Sequence, residues 1–437
     1  MSLAQKIIAR ASGRESVNVG DIVTCHVDLA MIHDSGGPRR VEPILQHLQA
    51  PLFDKSKVVL VSDHYVPGDE PESKHILDLT RRWAVEREVT FYDGEGICHV
   101  VVPERGHLGP GMLVTGGDSH SPTGGAFGAY MFGIGSTEMA GVLATGEIWL
   151  QVPKTILLNW QGHLGAKVVA KDMMLAMCAK LGMDGGQYQA IEYTGDTIAA
   201  LCMQERMTLC NMAAELGAQA GLIAPDAITI DALKQAGYAS PSWHKDVPAN
   251  QNDYDSQDAE PITKRWPATT ATDADQIHYF DASTLAPQVA APHSPANATS
   301  VHEQVGQTID VAYIGACTGA KYVDLAMAAS VLRGRKVASG TQLIVAPASN
   351  KDKQRAEADG TMQVLSDAGA RFLVSACGIC AGYGTERLGA GVRCISTTAR
   401  NFKGRMGEAS SAVWLASPYT VAATAIAGKI TDPREMQ

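Results

Sequence analysis

The sequence lacks the features of several large protein classes. No apolar run in its 437 residues approaches the length of a bilayer-spanning helix, so we expect no membrane association. Acidic residues outnumber basic ones, 46 to 36, and the formal net charge of −10 gives no electrostatic footprint for a nucleic-acid partner. With 19% charged and 45% hydrophobic residues, the composition is typical of an ordinary soluble protein.

Targeting and disulfide signals are also missing. The first ten residues contain no acid, as in a transit peptide, but they lack the richness in Ser and Arg and predict an amphipathic helix instead. Nine cysteines without a secretory signal indicate reduced thiols or metal ligands rather than a disulfide framework. We therefore expect a cytoplasmic protein, in which a small anionic substrate would be held by a few local arginines.

Three of the nine cysteines carry the strongest chemical signal. Cys377 and Cys380 form a Cys-x-x-Cys pair, and Cys317 lies upstream in a glycine-containing segment. Three sulfur ligands suit an iron–sulfur cluster or zinc better than a hard cation. In a cubane cluster they would leave one iron without a protein sulfur, and such an iron can bind a substrate oxygen as a Lewis acid. The other six lie in apolar segments and are predicted to be core residues: Cys25, Cys98, Cys178, Cys202, Cys210 and Cys394.

Strands alternating with helical stretches predict an α/β protein. Strands are predicted over 57–62, 89–92, 96–102 and 113–115, and helices over 73–88, 171–181 and 208–221. The first strand ends in Asp63-His64, a place where ligands gather in open α/β sheets. The segment 116–146 is rich in glycine, which permits close approach of backbone to a ligand. Within it, Gly133-Ile-Gly135-Ser-Thr-Glu138 lacks the third glycine of a dinucleotide fingerprint, so we reject a dinucleotide site there.

We predict three α/β domains, with limits 1–155, 156–300 and 301–437. Residues 243–300 are polar and rich in Asp, Pro, Ala and Thr, which predicts a linker or surface excursion. In the third domain, strands over 309–314 and 371–375 precede Cys317 and Cys377. All three candidate ligands are therefore expected at strand ends on one face of the sheet.

Several motifs together resemble the aconitase family and, within it, the large subunits of 3-isopropylmalate dehydratases. The matching segments are 117–125, 142–146, 208–215, 317–318, 377–380 and 400–405. Each segment alone is a weak signal, but the set is very specific, and the resemblance extends over nearly the whole chain.

The resemblance implies three α/β domains packed around a [4Fe–4S] cluster, and a hydro-lyase that dehydrates and rehydrates a hydroxy-di- or tricarboxylate. The first expected substrate is 3-isopropylmalate, isomerised to 2-isopropylmalate in leucine biosynthesis. Homoaconitate, 2,3-dimethylmalate and citraconate (methylmalate) are the alternatives. Single-chain aconitases continue into a fourth, swivelling domain that supplies the serine base and further arginines. We therefore expect a separate small subunit, in a heterodimer or heterotetramer.

The resemblance also implies roles for individual residues. The implied catalytic residues are Asp63, His64, His99, Asp118, His120 and Glu215; the implied substrate-binding residues are His33, Ser119, Arg400 and Arg405; the implied cluster ligands are Cys317, Cys377 and Cys380. Asp63 is expected to orient His64 for protonating the leaving hydroxyl, while His99 pairs with Asp118 and His120 with Glu215. Carboxylate–imidazole pairs fix the tautomer and raise the basicity of the ring. Each role has a structural alternative. His99, Asp118 and His120 could form an ordinary buried polar network, Ser119 could be a turn residue, Arg400 and Arg405 could lie in a solvated loop, and His33 could be a core residue.

Two positions depart from the family pattern. The usual Cys-Thr-Asn becomes Cys317-Thr318-Gly319, and the asparagine expected before Arg400 is Ala399. Loss of an amide beside the cluster would remove a hydrogen-bond donor that tunes it. These differences bear on the substrate and leave the class unchanged.

Two other classes fit parts of the sequence. An iron-sensing RNA-binding regulator is disfavoured by the net charge of −10. A structural zinc protein would use the three cysteines and a histidine, but it would leave the His–Asp pairs and the arginine loop unexplained.

Overall fold

The part of the chain that the structure describes contains four β-sheets, with helices packed on their faces. The computed structural model describes residues 1–239 and 262–436. Strands and helices alternate along the chain, so the predicted α/β class is confirmed. No helix in these residues combines the length and the apolar character that crossing a membrane requires.

The first block contains a parallel sheet and an antiparallel ribbon. Its elements are α1 Leu3–Ala11, β1 Ile22–His26, β2 Leu29–His33, α2 Pro38–Leu48, β3 Val58–Ser62, α3 Pro71–Arg87, β4 Thr90–Asp93, α4 Cys98–Glu104, β5 Leu113–Gly116, β6 Tyr130–Gly133, α5 Ser136–Thr145 and β7 Glu147–Gln151. The order β4-β3-β2-β5-β6 is parallel throughout, and β1 pairs with β7. Helix α1 confirms the amphipathic helix predicted at the start.

The strand predicted over 96–102 is wrong, because residues 98–102 belong to α4. Short apolar runs fit a buried helix as well as a strand, and periodicity does not separate them. Here the Asp63 carboxylate accepts a hydrogen bond from the N–H of Cys98 at 2.8 Å. This contact satisfies one of the amides that a helix leaves unpaired at its start. The helix therefore begins on a side chain supplied by the end of β3.

The second block is a four-stranded parallel sheet of order β10-β9-β8-β11. Its elements are β8 Thr155–Gln161, α6 Ala170–Leu181, β9 Ala190–Thr194, α7 Asp196–Ala200, α8 Met203–Asn211, β10 Ala220–Leu222, α9 Ala227–Ala236, α10 Ile262–Arg265 and β11 Gln276–Asp281. The helix predicted over 208–221 is only partly correct. Helix α8 gives way to a 3₁₀ turn, Met212–Leu216, which ends at Gly217 with φ +72°.

The polar segment predicted as a linker over 243–300 is also corrected in part. Residues 240–261 lie outside the described residues, but β11 belongs to the second sheet as an edge strand beside β8. Its residues are mostly exposed or half-buried, so their composition resembles that of a surface loop. A polar edge strand gives little hydrophobic signal.

The third block holds the largest sheet, of order β13-β12-β18-β17-β14-β15-β16. Its elements are β12 Gln288–Ala290, β13 Ala298–Ser300, β14 Val311–Ile314, α11 Tyr322–Leu332, β15 Gln342–Val345, α12 Asn350–Ala358, α13 Thr361–Ala368, β16 Arg371–Phe372, β17 Arg393–Ser396, β18 Ala412–Ala416 and α14 Pro418–Ala427. Strands β12 and β13 pair here, so sheet membership changes between β11 and β12. The domain limits at 155 and 300 stay a prediction.

The core explains how the blocks are held together. Val59 and Val61 of β3 belong to one apolar cluster, which continues through the second and third sheets. Val58 and Leu60 of the same strand belong to a second cluster, under α1 and α5. This alternation follows the two-residue period of a strand buried on both faces. The shared cluster fixes the first sheet against the other two, and strand ends from separate sheets meet beside it.

Glu104, at the end of α4, lies at the contact between the first and third blocks, where its Oε1 accepts from Ser349 Oγ at 3.0 Å. Burial, and then the Asp352 carboxylate, raises the pKa of Glu104 from 4.5 to about 8. The folded state thus keeps a proton that the unfolded chain loses above its pKa of 4.5, and stability falls as pH rises from 4.5 to about 8. We expect Glu104→Gln to raise the free energy of unfolding by about 1–3 kcal/mol at about pH 9.

Urea unfolding of both proteins at about pH 5 and about pH 9 measures this effect. The exposed Glu86→Gln on α3 is the control and should shift neither midpoint. If Glu104→Gln changes the free energy of unfolding equally at both pH values, the raised pKa of Glu104 is not the cause of the effect.

Candidate active site

One cavity lies where the carboxyl ends of strands from the first and third sheets meet. Nine of the thirteen predicted site residues line it: Asp63, His64, His99, Asp118, His120, Cys317, Cys377, Cys380 and Arg405. The other four, His33, Ser119, Glu215 and Arg400, contact the groups around it through a stacked ring or hydrogen bonds. Residues far apart in sequence are therefore brought together as the strand-end argument predicted.

Cys317, Cys377 and Cys380 all line this cavity. Cys317 follows β14, and Cys377 precedes the 3₁₀ turn Gly378–Ala381, which contains Cys380. The N–H of Cys377 donates to the Asp63 carbonyl at 2.8 Å, which ties the turn to β3. Asn211 Nδ2 donates to Cys317 Sγ at 3.1 Å. Three soft sulfur donors facing one cavity fit an iron–sulfur cluster.

The thiols also differ in acidity. A hydrogen bond from Cys377, followed by the positive charge of Arg405, lowers the pKa of Cys380 to about 6, although burial acts in the opposite direction. Burial raises the pKa of Cys317 to about 12. All nine cysteines are free thiols. Of the six predicted for the core, five are buried, and Cys202 is only partly buried.

Asp63 and His64 form a tight pair at the end of β3. His64 Nδ1 and Asp63 Oδ1 lie 2.6 Å apart, which confirms the predicted pairing. His64 Nε2 lies 3.8 Å from Asp118 Oδ2, on the cavity side. Burial by itself would lower the pKa of His64, but the carboxylates of Asp63, Asp34 and Asp118 raise it to about 10. His64 is therefore protonated at neutral pH and can donate a proton.

Asp34 is a part of this arrangement that the sequence reasoning missed. Its carboxylate accepts hydrogen bonds from the N–H groups of His64 at 3.1 Å and Tyr65 at 2.8 Å. The preceding His33 stacks on His64 with 4.2 Å between ring centroids, and its Nε2 lies 2.9 Å from the Gly117 carbonyl. Asp34 directly follows β2, so applying the strand-end argument to this strand would have found it.

Asp118 connects two further imidazoles. Its Oδ1 lies 2.8 Å from His99 Nε2 and accepts from the N–H of His120 at 2.8 Å. His120 Nε2 lies 3.1 Å from Glu215 Oε1. Both predicted pairings are thus confirmed as contacts. Burial would raise the pKa of Asp118, but the hydrogen bonds from His120 and His99 hold it well below its usual value, so the carboxylate is charged.

The two predicted arginines are held differently. Arg400 donates from Nε to Glu215 Oε1 at 2.6 Å and from Nη1 to Ser119 Oγ at 2.9 Å. Arg405 donates from Nε to the Cys380 carbonyl at 3.0 Å, and it makes no ion pair within the described residues. Of the two, the guanidinium of Arg405 is therefore the better placed to receive an outside carboxylate.

The departure at Gly319 has a steric cause. A Cβ at this position would lie 2.1 Å from Thr397 Cβ, far closer than two non-bonded carbon atoms can approach. Thr397 is fixed there because its Oγ1 accepts from the N–H of Gly315 and donates to the carbonyl of the same residue, both at 2.9 Å. The turn after β17 thus occupies the space that an asparagine would need. Ala399, the other departure, lines the cavity.

Two buried lysines beside the cysteine segments were also missed. Lys171 on α6 is 2% exposed, and Lys321, just before α11, is 0% exposed. Lysine is almost never fully buried without a partner. Nothing in the local sequence marks either residue, because only packing between blocks removes them from solvent.

The fold and the cavity together define an α/β enzyme in which three cysteines lie beside carboxylate–imidazole pairs. The model of the aconitase family (aconitate hydratase) matches residues 6–310 and 304–428. The chain belongs to the aconitase family, as the motifs predicted. Membership of this family implies an iron–sulfur cluster as the cofactor.

Curated relatives match over their full length. The chain is 42% identical over 436 residues, 99% of both chains, to the "3-isopropylmalate dehydratase large subunit 1" of Methanopyrus kandleri. It is 38% identical over 439 residues, 100% of this chain and 99% of the relative, to the protein of the same name from Archaeoglobus fulgidus. It is also 38% identical over 441 residues, 100% of this chain and 98% of the relative, to a "Probable methanogen homoaconitase large subunit" of Methanothermobacter thermautotrophicus.

Proposed function

We propose that the chain is the catalytic large subunit of a [4Fe–4S] hydro-lyase that interconverts 3-isopropylmalate and 2-isopropylmalate. The observation that carries the proposal is the single cavity lined by three cysteines, a protonated His64 and the Asp118 carboxylate. The names of the relatives at 42% and 38% identity support the substrate. Homoaconitate is the second candidate, because a relative at 38% identity carries that name.

Cys317, Cys377 and Cys380 would hold the cluster. Their sulfurs are the soft donors that iron–sulfur clusters take, and the other six cysteines do not line this cavity. When bound, the cluster supplies a Lewis-acid iron for the substrate hydroxyl.

His64 would protonate the hydroxyl that leaves. Its Nδ1 is bonded to Asp63, so Nε2 is the atom that carries the transferable proton toward the cavity. A protonated His64 requires its carboxylate neighbours, because burial alone disfavours the charged ring. Asp63 and Asp34 would thus act by holding the ring and its charge, not by transferring the proton.

The substrate carboxylates would be bound by Arg405 and by the Ser119–Arg400 side of the cavity. Arg405 is anchored at Nε on the Cys380 carbonyl, which leaves its two terminal nitrogens for a bidentate contact. The positive charges of His120 and Arg400, which both contact Glu215, hold the pKa of this carboxyl below its usual value although burial acts in the opposite direction. The base that removes the proton alpha to the carboxylate would come from a small subunit, as the term "large subunit" in the relatives' names suggests.

Arg405→Lys is expected to lower kcat/KM for the hydroxy acid by about 10- to 100-fold, mainly through a higher KM. Lysine keeps the positive charge but loses the planar fork and the Nε anchor on Cys380. Steady-state kinetics of the complex with its small subunit measure the effect. Lys403→Arg, an exposed change in the same loop, is the control. Unchanged kinetics for Arg405→Lys would show that Arg405 does not bind the substrate and is only part of a solvated loop.

Anaerobic purification tests the proposal as a whole. We expect a brown protein with close to four irons and four sulfides per chain, almost inactive alone and active on 3-isopropylmalate when its small subunit is added. Comparing kcat/KM for 3-isopropylmalate and homoaconitate decides between the two substrates. A colourless protein that fails anaerobic reconstitution, or strong turnover by the chain alone, would contradict the proposal.

A further inference from the structure

Lys171 is a buried cation that reaches from one block into another. It lies at the start of α6 in the second block, and its Nζ lies between two turns of the third block. It donates to the carbonyls of Thr397 at 3.1 Å and Thr398 at 2.6 Å, and it lies 3.5 Å from Thr318 Oγ1. These acceptors flank Cys317 on one side and Ala399 and Arg400 on the other.

The charge of Lys171 has no dedicated carboxylate partner. In residues 1–239 and 262–436, the Lys171 ammonium forms no ion pair, and its three acceptors are two carbonyls and a hydroxyl. Lys321 provides the contrast, because its Nζ lies 2.9 Å from Asp324 Oδ2 while it also donates to the Cys317 carbonyl at 2.9 Å. A buried charge without a counter-charge is unfavourable even when it is hydrogen-bonded.

The surroundings of Lys171 identify its counter-charge. Its Nζ lies 3.5 Å from Oγ1 of Thr318, the residue after Cys317, and the Thr398 carbonyl that it contacts precedes the cavity-lining Ala399. The nearby Glu215 is already paired with Arg400 at 2.6 Å and contacts His120 at 3.1 Å. The cysteine thiolates of a bound cluster are therefore the negative charge that remains to offset Lys171. In the metal-bound protein, these thiolates and the inorganic sulfides of the cluster form one anionic unit.

We propose that Lys171 is the positioning residue that would supply the counter-charge of the iron–sulfur cluster and that holds together the turn after β14, beside Cys317, and the turn after β17, beside Ala399. The proposal rests on the proposed function, since it requires that the three cysteines bind a cluster. Net charge and hydrogen bonding around a cluster set its reduction potential and its stability. Lys171 would thus act on the cluster through space, through the backbone of Thr397 and Thr398, and through the hydroxyl of Thr318.

The experiment compares Lys171→Gln, Lys171→Met and Lys171→Arg with the unmodified chain, after anaerobic reconstitution with iron and sulfide. The readouts are iron and sulfide content, the rate of iron release to a ferrous chelator, and the reduction potential of the cluster. Lys180→Met is the matched control, because it removes an exposed lysine from the same helix. Thermal unfolding of each protein with and without cluster separates a lost counter-charge from a lost structural contact.

We expect Lys171→Gln and Lys171→Met to release iron about 10- to 100-fold faster and to shift the reduction potential to more negative values. Lys171→Arg should keep an iron-release rate and a reduction potential close to those of the unmodified chain. The apoprotein of Lys171→Met should unfold at about the same temperature, because removal of the uncompensated charge offsets the loss of the hydrogen bonds to Thr397 and Thr398. The increase in Tm on cluster binding should become smaller.

Three results would overturn the inference. Iron release and potential of Lys171→Gln that match the unmodified chain would show that the charge does not act on the cluster. Equal losses in Lys171→Arg and Lys171→Gln would assign Lys171 a packing role. If Lys171→Met does not fold, the Arg and Gln variants decide by the same criteria. An unmodified chain that binds no cluster would overturn this inference and the proposed function together, whereas the first two results leave the proposed function intact.

Discussion

Cys377→Ser is expected to reduce the iron content of the reconstituted protein to background and to change its fold little. Serine offers a hard oxygen with a high pKa in place of a soft thiolate, so it is a poor ligand for a cluster iron. The substitution is nearly isosteric, and the N–H of residue 377 can still donate to the Asp63 carbonyl. The fold should therefore survive the loss of the ligand. Iron and sulfide analysis, absorbance and circular dichroism measure the two parts of this expectation.

Cys202→Ser serves as the control for Cys377→Ser. Cys202 is also a free and partly exposed thiol, but it lies at the start of α8 and outside the cavity. Its replacement should leave the iron content unchanged. Full iron retention in Cys377→Ser, or equal loss in both variants, would overturn the assignment of ligands.

His64→Gln is expected to lower kcat by about 10²- to 10⁴-fold, the usual range for loss of a general acid. Glutamine keeps a polar side chain next to Asp63 but has no transferable proton. The cluster should remain, because His64 is not among the proposed ligands. Steady-state kinetics of the complex, with iron content measured on the same sample, separate the two effects.

The pH dependence gives this prediction its direction. The pKa of His64 is raised from 6.5 to about 10, so the ring stays protonated over the neutral range. Deprotonation of His64 should therefore reduce activity only as pH rises toward about 10. Asp63→Asn removes the carboxylate that contributes most to the raised pKa of His64, so the decrease in activity should begin at lower pH in this variant. The raised pKa also stabilises the folded state. That contribution is full below 6.5 and is lost as pH rises through about 10.

The exposed His47→Gln on α2 is the control for His64→Gln. It should leave kcat and its pH profile unchanged. A His64→Gln enzyme with more than half of the normal kcat would exclude His64 as the proton donor.

The local sequence was sufficient where a motif carries its own chemistry. The residue types of the Cys-x-x-Cys pair and of Asp63-His64 at a strand end predict donor atoms and acid–base groups. In the structure these residues line one cavity. The error over 96–102 shows the limit of this approach. The apolar run was right, but the choice between strand and helix depended on Asp63, which lies 35 positions from Cys98.

The sequence by itself thus determined the α/β class, the family and the residue types of the site, because these follow from short motifs and from hydrophobic periodicity. Only the tertiary structure decided which groups surround those motifs. Lys171 lies 226 and 227 positions from the two carbonyls it contacts, and Gly319 is required because Thr397 occupies the adjacent space. Contacts of this kind depend on how sheets pack against one another. Burial and steric exclusion arise from that packing, and no local pattern of residues encodes them.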